Sequence, residues 1–339
     1  MAPYRSPYLT EPATLSIATP LRPISDSIAN FDDIEVPIPL GWMMAGLVLS
    51  FIGVTLLMWH AHLTLDPNTP ANGALLFVMA LAGLIRYTYR APKSRTQRIS
   101  RDAAEYLGMF IVVVVLGALA SYPVAVGTTG YVDMTLEQID QFFRFNWVGW
   151  YDFTVAHKSL QLLGSLVYAS IYLTPVILLS YFAQADRKAE ARVFIASFWA
   201  AAIFTLMLFV AFPAQGPLAF LVHGPISYMP TSALYQSELI PVLRDGTFHQ
   251  VSLGALRGLV CAPSFHTTSA VLYMLAAWPI RSLRWPLIAL NCAMLLSVPV
   301  EGTHYLADMI GGALVALVAY AVFKFLAKRL LLRKTLDSA

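Results

Sequence analysis

Three side chains able to do chemistry interrupt one apolar stretch, LLSVPVEGTHYLADMIGG at 295–312: Glu301, His304 and Asp308. Carboxylates and imidazoles beside lipid are costly unless they face a protein interior, a water-filled cavity or one another. His304 and Asp308 are spaced i, i+4, so on a helix starting near Thr303 they share one face a single turn apart. The carboxylate can then accept from one imidazole nitrogen and leave the other aimed outward, the orienter-and-nucleophile half of a triad. A second histidine, His266, stands in CAPSFHTTSAVLYML. Pro263 suits the first turn of a helix, and Ser264 with its neighbours would put free backbone N–H groups at a helix N-terminus, a natural anion site. Each signal is weak alone, since an isolated His/Asp pair serves equally as a structural hydrogen bond and a lone histidine near a span end is usually a packing residue.

Both histidines need elements that carry them to one place. Of 339 residues 58% are hydrophobic and 12% charged, against about a quarter charged in soluble chains, so the chain reads as an all-α integral membrane protein. A span needs roughly 20 apolar residues. The stretches 41–59, 73–86, 106–126, 159–183, 193–212, 263–280, 286–301 and 305–327 are the candidates, about eight spans. Residues 1–38 form a polar, proline-dotted tail that does not read as a signal peptide, and 328–339 a basic tail.

Charge then gives direction. The loops at 86–105, 184–192 and 281–285 and the C-terminal end hold 16 of the 22 Lys and Arg residues, all on one side if eight spans alternate. By the positive-inside rule that side is the cytoplasm and holds both termini. The starts of the sixth and eighth spans then lie together at the outer face, so His266 and His304 meet in space. Two long loops share that face. The first contains VDMTLEQIDQFFRFNWVGWYDF, where Thr135 and Gln138 form a capping box for a short amphipathic helix. Its Phe142, Phe143, Phe145, Trp147 and Trp150 suit packing at the membrane surface, with substrate contact as the other reading. No nucleic-acid patch is visible. Cys261 and Cys292 lack metal-type spacing and read as structural.

The residues carry a resemblance. PSFH at 263–266 resembles the PSGH motif of the type 2 phosphatidic acid phosphatase superfamily, and Ser297, His304 and Asp308 match three anchors of its SRxxxxxHxxxD motif. The resemblance covers about 106–327, which would be a six-helix catalytic core, with 39–105 adding two N-terminal spans and a basic loop. Two departures stand out: the motif arginine is Val298, and FPAQGP (212–217) stands where KxxxxxxRP is usual. Loss of those basic groups resembles the branch containing inositol phosphorylceramide synthase and the sphingomyelin synthases, and bacterial members of that inositolphosphotransferase-like group in particular.

The resemblance implies His304 as nucleophile, Asp308 as its orienter, and His266 as the acid that protonates the leaving alkoxide and then the base for the acceptor. It implies no metal and no cofactor, an inner-membrane location with the site on the periplasmic face, and transfer of a phosphoryl-headgroup such as phosphoinositol from a membrane phospholipid to a lipid hydroxyl. The alternative is a phosphatase of lipid phosphates or polyprenyl pyrophosphate with the same site. Candidate phosphate ligands are Ser264, Gln215, Ser297 and Arg257, the last seven residues before Ser264 and equally readable as a headgroup-facing arginine; Arg244 and His249 are further loop bases. Glu301 either binds a polyol acceptor or caps the helix that follows it. A degenerate transporter and a divalent-metal site built on the two histidines, Asp308 and Glu301 are the readings from other classes. Nothing in the sequence specifies an oligomeric state.

Overall fold

The computed structural model describes residues 37–337; nearly all of the 1–38 tail, and the Arg333 and Lys334 side chains of the basic tail, lie outside the described residues. The chain is built of helices: α1 (Leu40–His60), α2 (Pro70–Thr88), α3 (Arg95–Val126), α4 (Asp133–Phe142), α5 (Trp147–Ala156), α6 (Lys158–Gln184), α7 (Lys188–Ala211), α8 (Pro217–Leu221), α9 (Tyr235–Arg244), α10 (Phe265–Ala277), α11 (Arg284–Glu301) and α12 (Leu306–Asp337). Among the described residues the strands amount to one parallel bridge, β1 (Thr64–Leu65) with β2 (Gln250–Val251).

Each of the eight expected stretches is helical, and six of them, α1, α2, α3, α6, α7 and α12, are long and apolar enough to cross a membrane. The protein is an all-α integral membrane protein. The exceptions are α11 and α10. With 13 residues at 1.5 Å each, α10 is about 20 Å long, short of a roughly 30 Å hydrocarbon core. Its reason for existing is internal: it packs against α6, α7, α11 and α12 and buries Thr267, Thr268, Ser269 and Tyr273. The last helix continues to Asp337, past the expected end of its span at 327.

Helices in lipid associate by close packing and hydrogen bonding, since the tails are as apolar as leucine. The main core joins Phe110 of α3, Phe182 of α6, Phe194 and Phe198 of α7 and Tyr273 of α10, with Phe110 and Phe198 rings 4.6 Å apart. One helix pair is drawn to contact by missing atoms. A methyl group on Gly312 of α12 would collide with the Ser264 carbonyl oxygen at the head of α10, so glycine there lets α10, which bears His266, touch α12, which follows the His304 turn. The two added helices are pinned by charge: Glu105 of α3 accepts from Arg86 of α2 at 2.8 Å and from Arg192 of α7 at 3.1 Å, and Arg192 also donates to the Ile38 carbonyl at 3.1 Å.

Candidate active site

The site lies at the end of the bundle where α11 gives way to α12. His304 is not on a helix. The α11 helix ends at Glu301 and α12 begins at Leu306, and between them Thr303 takes a positive φ of 51° while the His304 amide donates to the Pro299 carbonyl at 3.1 Å. This tight turn swings the imidazole back over the first turn of α12, so its Nδ1 meets Asp308 Oδ2 at 3.2 Å. Both side chains are buried. The expected pairing is present, made by a turn rather than by one helical face.

His266 sits on the first turn of α10, whose N-cap is Ser264. Its ring centroid lies 5.8 Å from that of His304, the planes inclined by 57°. Its Nδ1 faces the Tyr168 hydroxyl of α6 at 3.1 Å, and that hydroxyl meets Ser232 Oγ at 2.9 Å. Each imidazole thus spends Nδ1 on a fixed partner, and among the described residues neither Nε2 makes a hydrogen bond. Both Nε2 atoms are left for a ligand.

The other sequence candidates divide. Ser264 caps α10 through its hydroxyl, which accepts from the Thr267 amide at 3.3 Å, and its own amide donates to the Asp308 carbonyl at 2.9 Å. The Phe265 and His266 amides find no acceptor among the described residues. Gln215 is held by its amide, which donates to Asp133 at 3.0 Å. Ser297 donates back to Met294 of its own helix at 2.8 Å. Arg257 is exposed, its guanidinium 5.2 Å from the Tyr235 ring, and Arg244 is spent on Thr128 and the Gly130 carbonyl. Val298, where the motif arginine stands elsewhere, is fully buried against Tyr168, Ala270 and Met294.

Several expectations need correction. Glu301 does not cap α12. Its Oε1 accepts from the Tyr228 hydroxyl at 2.6 Å and its Oε2 from the Thr231 amide and hydroxyl at 3.0 and 2.6 Å, because the carboxylate closes the end of α11 and faces the 228–232 loop. The cap comes from Asp140 on α4, which accepts from the Leu306 and Ala307 amides at 2.9 and 2.7 Å. Thr135 and Gln138 form no capping box, since α4 starts two residues earlier, at Asp133. Trp147 is not interfacial: it is buried, and its indole N–H donates to the Pro299 carbonyl at 2.8 Å. Phe142, Phe143 and Trp150 do stay exposed.

The α4 helix is therefore a clamp. Asp133 accepts from the Gln215 and Gly216 amides at 3.0 and 2.9 Å and from the Tyr305 hydroxyl at 3.0 Å. Gly216 needs its φ of 95°, and a Cβ there would come within 2.8 Å of the Thr303 carbonyl. FPAQGP is thus pressed onto the His304 turn. Burial lifts both carboxyls, Asp133 above its ordinary value and Asp140 to about 6, against the lowering effect of the amides that bind them. Asp133 and Asp140 are spaced i, i+7, a one-face signal in the sequence. Tyr168 and Ser232 left no such signal. Cys261, read as structural, is buried with its thiol 3.4 Å from Asp308 Oδ2.

A buried histidine beside a second, partly buried one, the first oriented by a carboxylate, is an arrangement able to pair a nucleophile with a proton carrier. The family model of the PAP2 superfamily matches residues 134–322, more than half of the chain, and the protein belongs to that superfamily. It is accordingly an enzyme acting on lipid phosphates, a phosphatase or phosphotransferase. Searches of curated proteins and of solved structures find no match.

Proposed function

We propose that the protein moves a phosphoryl-headgroup, such as phosphoinositol, from a membrane phospholipid to a lipid hydroxyl through a phosphohistidine. The observation that carries this reading is the His304–Asp308 pair with the His266 ring 5.8 Å away. His304 Nε2 attacks phosphorus, the bond to the lipid alkoxide breaks, and His266 donates a proton to the departing oxygen. Asp308 holds the imidazolium that forms at Nδ1. His266 then takes the proton of the acceptor hydroxyl, whose oxygen attacks phosphorus and breaks the P–N bond.

Charge supports transfer over hydrolysis of a monoester. Val298 is an apolar core position, Arg244 and Arg257 are occupied elsewhere, and Glu301 adds a buried carboxylate at the same end of the bundle. A site with so little fixed positive charge favours a singly charged phosphodiester over a doubly charged phosphate monoester. The Phe265 and His266 amides and the Gln215 side chain are the neutral donors proposed to hold its oxygens. In this reading both termini are cytoplasmic and the site faces the periplasm.

The test is to give purified protein a panel of labelled phospholipids with and without ceramide or diacylglycerol and to identify products by mass. Headgroup transfer that requires the added lipid alcohol is expected. Release of free phosphate irrespective of the alcohol would make the protein a phosphatase.

A further inference from the structure

We propose that Cys261, His304 and Asp308 form a site for a soft divalent cation such as Zn²⁺, and that its occupation switches the enzyme off. Cys261 lies in the segment leading into α10, and its Sγ is 3.4 Å from Asp308 Oδ2 and 3.9 Å from His304 Nδ1; those two atoms are 3.2 Å apart. Tetrahedral zinc binds thiolate sulfur, imidazole nitrogen and carboxylate oxygen at about 2.0–2.3 Å, which spaces neighbouring ligand atoms by roughly 3.3–3.8 Å. The triangle needs only tenths of an ångström to close around an ion. All three residues are buried, and Asp308 Oδ1 is buried with no hydrogen-bond partner among the described residues, so the carboxylate has a second oxygen to offer. A thiolate, an imidazole and a carboxylate suit zinc or cobalt and not magnesium or calcium.

The inhibitory sense follows from which nitrogen is taken, and it rests on the proposed role of His304. In the working form Nδ1 carries the proton, shared with Asp308, and Nε2 holds the nucleophilic lone pair. A cation needs the Nδ1 lone pair. The imidazole proton then resides on Nε2, the thiol proton of Cys261 leaves to solvent, and the nucleophile is lost. One proton is released per cation bound.

Binding is read without catalysis by titrating Co²⁺ into the detergent-solubilised full chain and following thiolate-to-cobalt charge-transfer absorption. One equivalent is expected in the wild type and in Cys292→Ser, which removes the other cysteine, an exposed one. Cys261→Ser should abolish the band and weaken Zn²⁺ binding by more than about 100-fold, since even partners outside the ligand set are worth roughly 10–100-fold. In lipid turnover, Zn²⁺ should inhibit the wild type and Cys292→Ser and leave whatever activity Cys261→Ser retains unaffected. No band in the wild type, or a band that survives Cys261→Ser, overturns the site. A Cys261-dependent band without inhibition keeps the site, overturns its inhibitory role and counts against His304 as the nucleophile.

Discussion

At the scale of single residues, the proposed chemistry depends on fixing each imidazole by one nitrogen so that the other is free. Asp308 does this for His304 at 3.2 Å, and Tyr168 does it for His266 at 3.1 Å. If His304 is the nucleophile, His304→Ala loses at least about 10⁴-fold in kcat, as removal of a nucleophile does elsewhere. Asp308→Asn, which keeps the shape and loses the charge that selects the tautomer, should lose on the order of 10³–10⁴-fold. Product mass spectrometry on labelled lipid reads both. In the proposed mechanism Tyr168 acts through His266, so Tyr168→Phe should lower kcat about tenfold, a part of the roughly 10²–10⁴-fold that general acid–base catalysis supplies. KM should stay put while the pH limb belonging to His266 moves. A Tyr168→Phe enzyme with an unaltered pH profile would make the tyrosine a packing residue.

At the scale of elements, the unexpected finding is that α4 presents two buried carboxylates inward, to the head of α12 and to the FPAQGP turn. Asp140 is the one whose titration can be followed. Its carboxyl is raised from 3.8 to about 6, so between those values the folded protein binds a proton that the unfolded chain has released. Stability contributed by this group therefore falls as pH rises from about 4 to 6 and is level above. Asp140→Asn, which keeps an acceptor oxygen for one of the Leu306 and Ala307 amides and loses the other bond, should remove that slope from a plot of Tm against pH. Asp140→Ala removes the cap together with the titrating group, so its cost, about 1 kcal/mol near pH 4, should shrink as pH rises toward 6. The α10–α12 contact is tested by Gly312→Ala, whose methyl group has the Ser264 carbonyl in its way; overpacking of about 1–3 kcal/mol is expected, seen as a lower Tm and reduced turnover.

For the molecule as a whole, the proposed orientation rests on which end of the bundle carries the basic residues. The 86–105 loop and the α6–α7 connection belong to the end opposite the histidines, and the Arg86, Glu105 and Arg192 network ties that end together. The proposed orientation predicts that Lys93→Cys, in a Cys292→Ser background, reacts with an impermeant maleimide only after lysis. Gly224→Cys, in the loop beside the histidines, should react in intact cells. The reverse pattern would put the active site in the cytoplasm.

Much of this was legible in the sequence because its signals are local. Apolar length marks membrane helices wherever they fall, since lipid imposes the same demand on every span, and the eight stretches are all helical. The spacing of Ser297, His304 and Asp308 and the PSFH segment pointed to the family without any knowledge of packing. What tertiary structure alone decided were the partners of buried polar groups. That Asp140 rather than Glu301 caps α12, that Trp147 is an anchor rather than a surface aromatic, and that Tyr168 and Cys261 attend the two histidines all depend on residues dozens to more than a hundred positions apart. A carboxylate or a hydroxyl must find some partner in a low-dielectric interior, and sequence states the need; only the packed bundle determines which of several chemically equivalent groups comes within 3 Å.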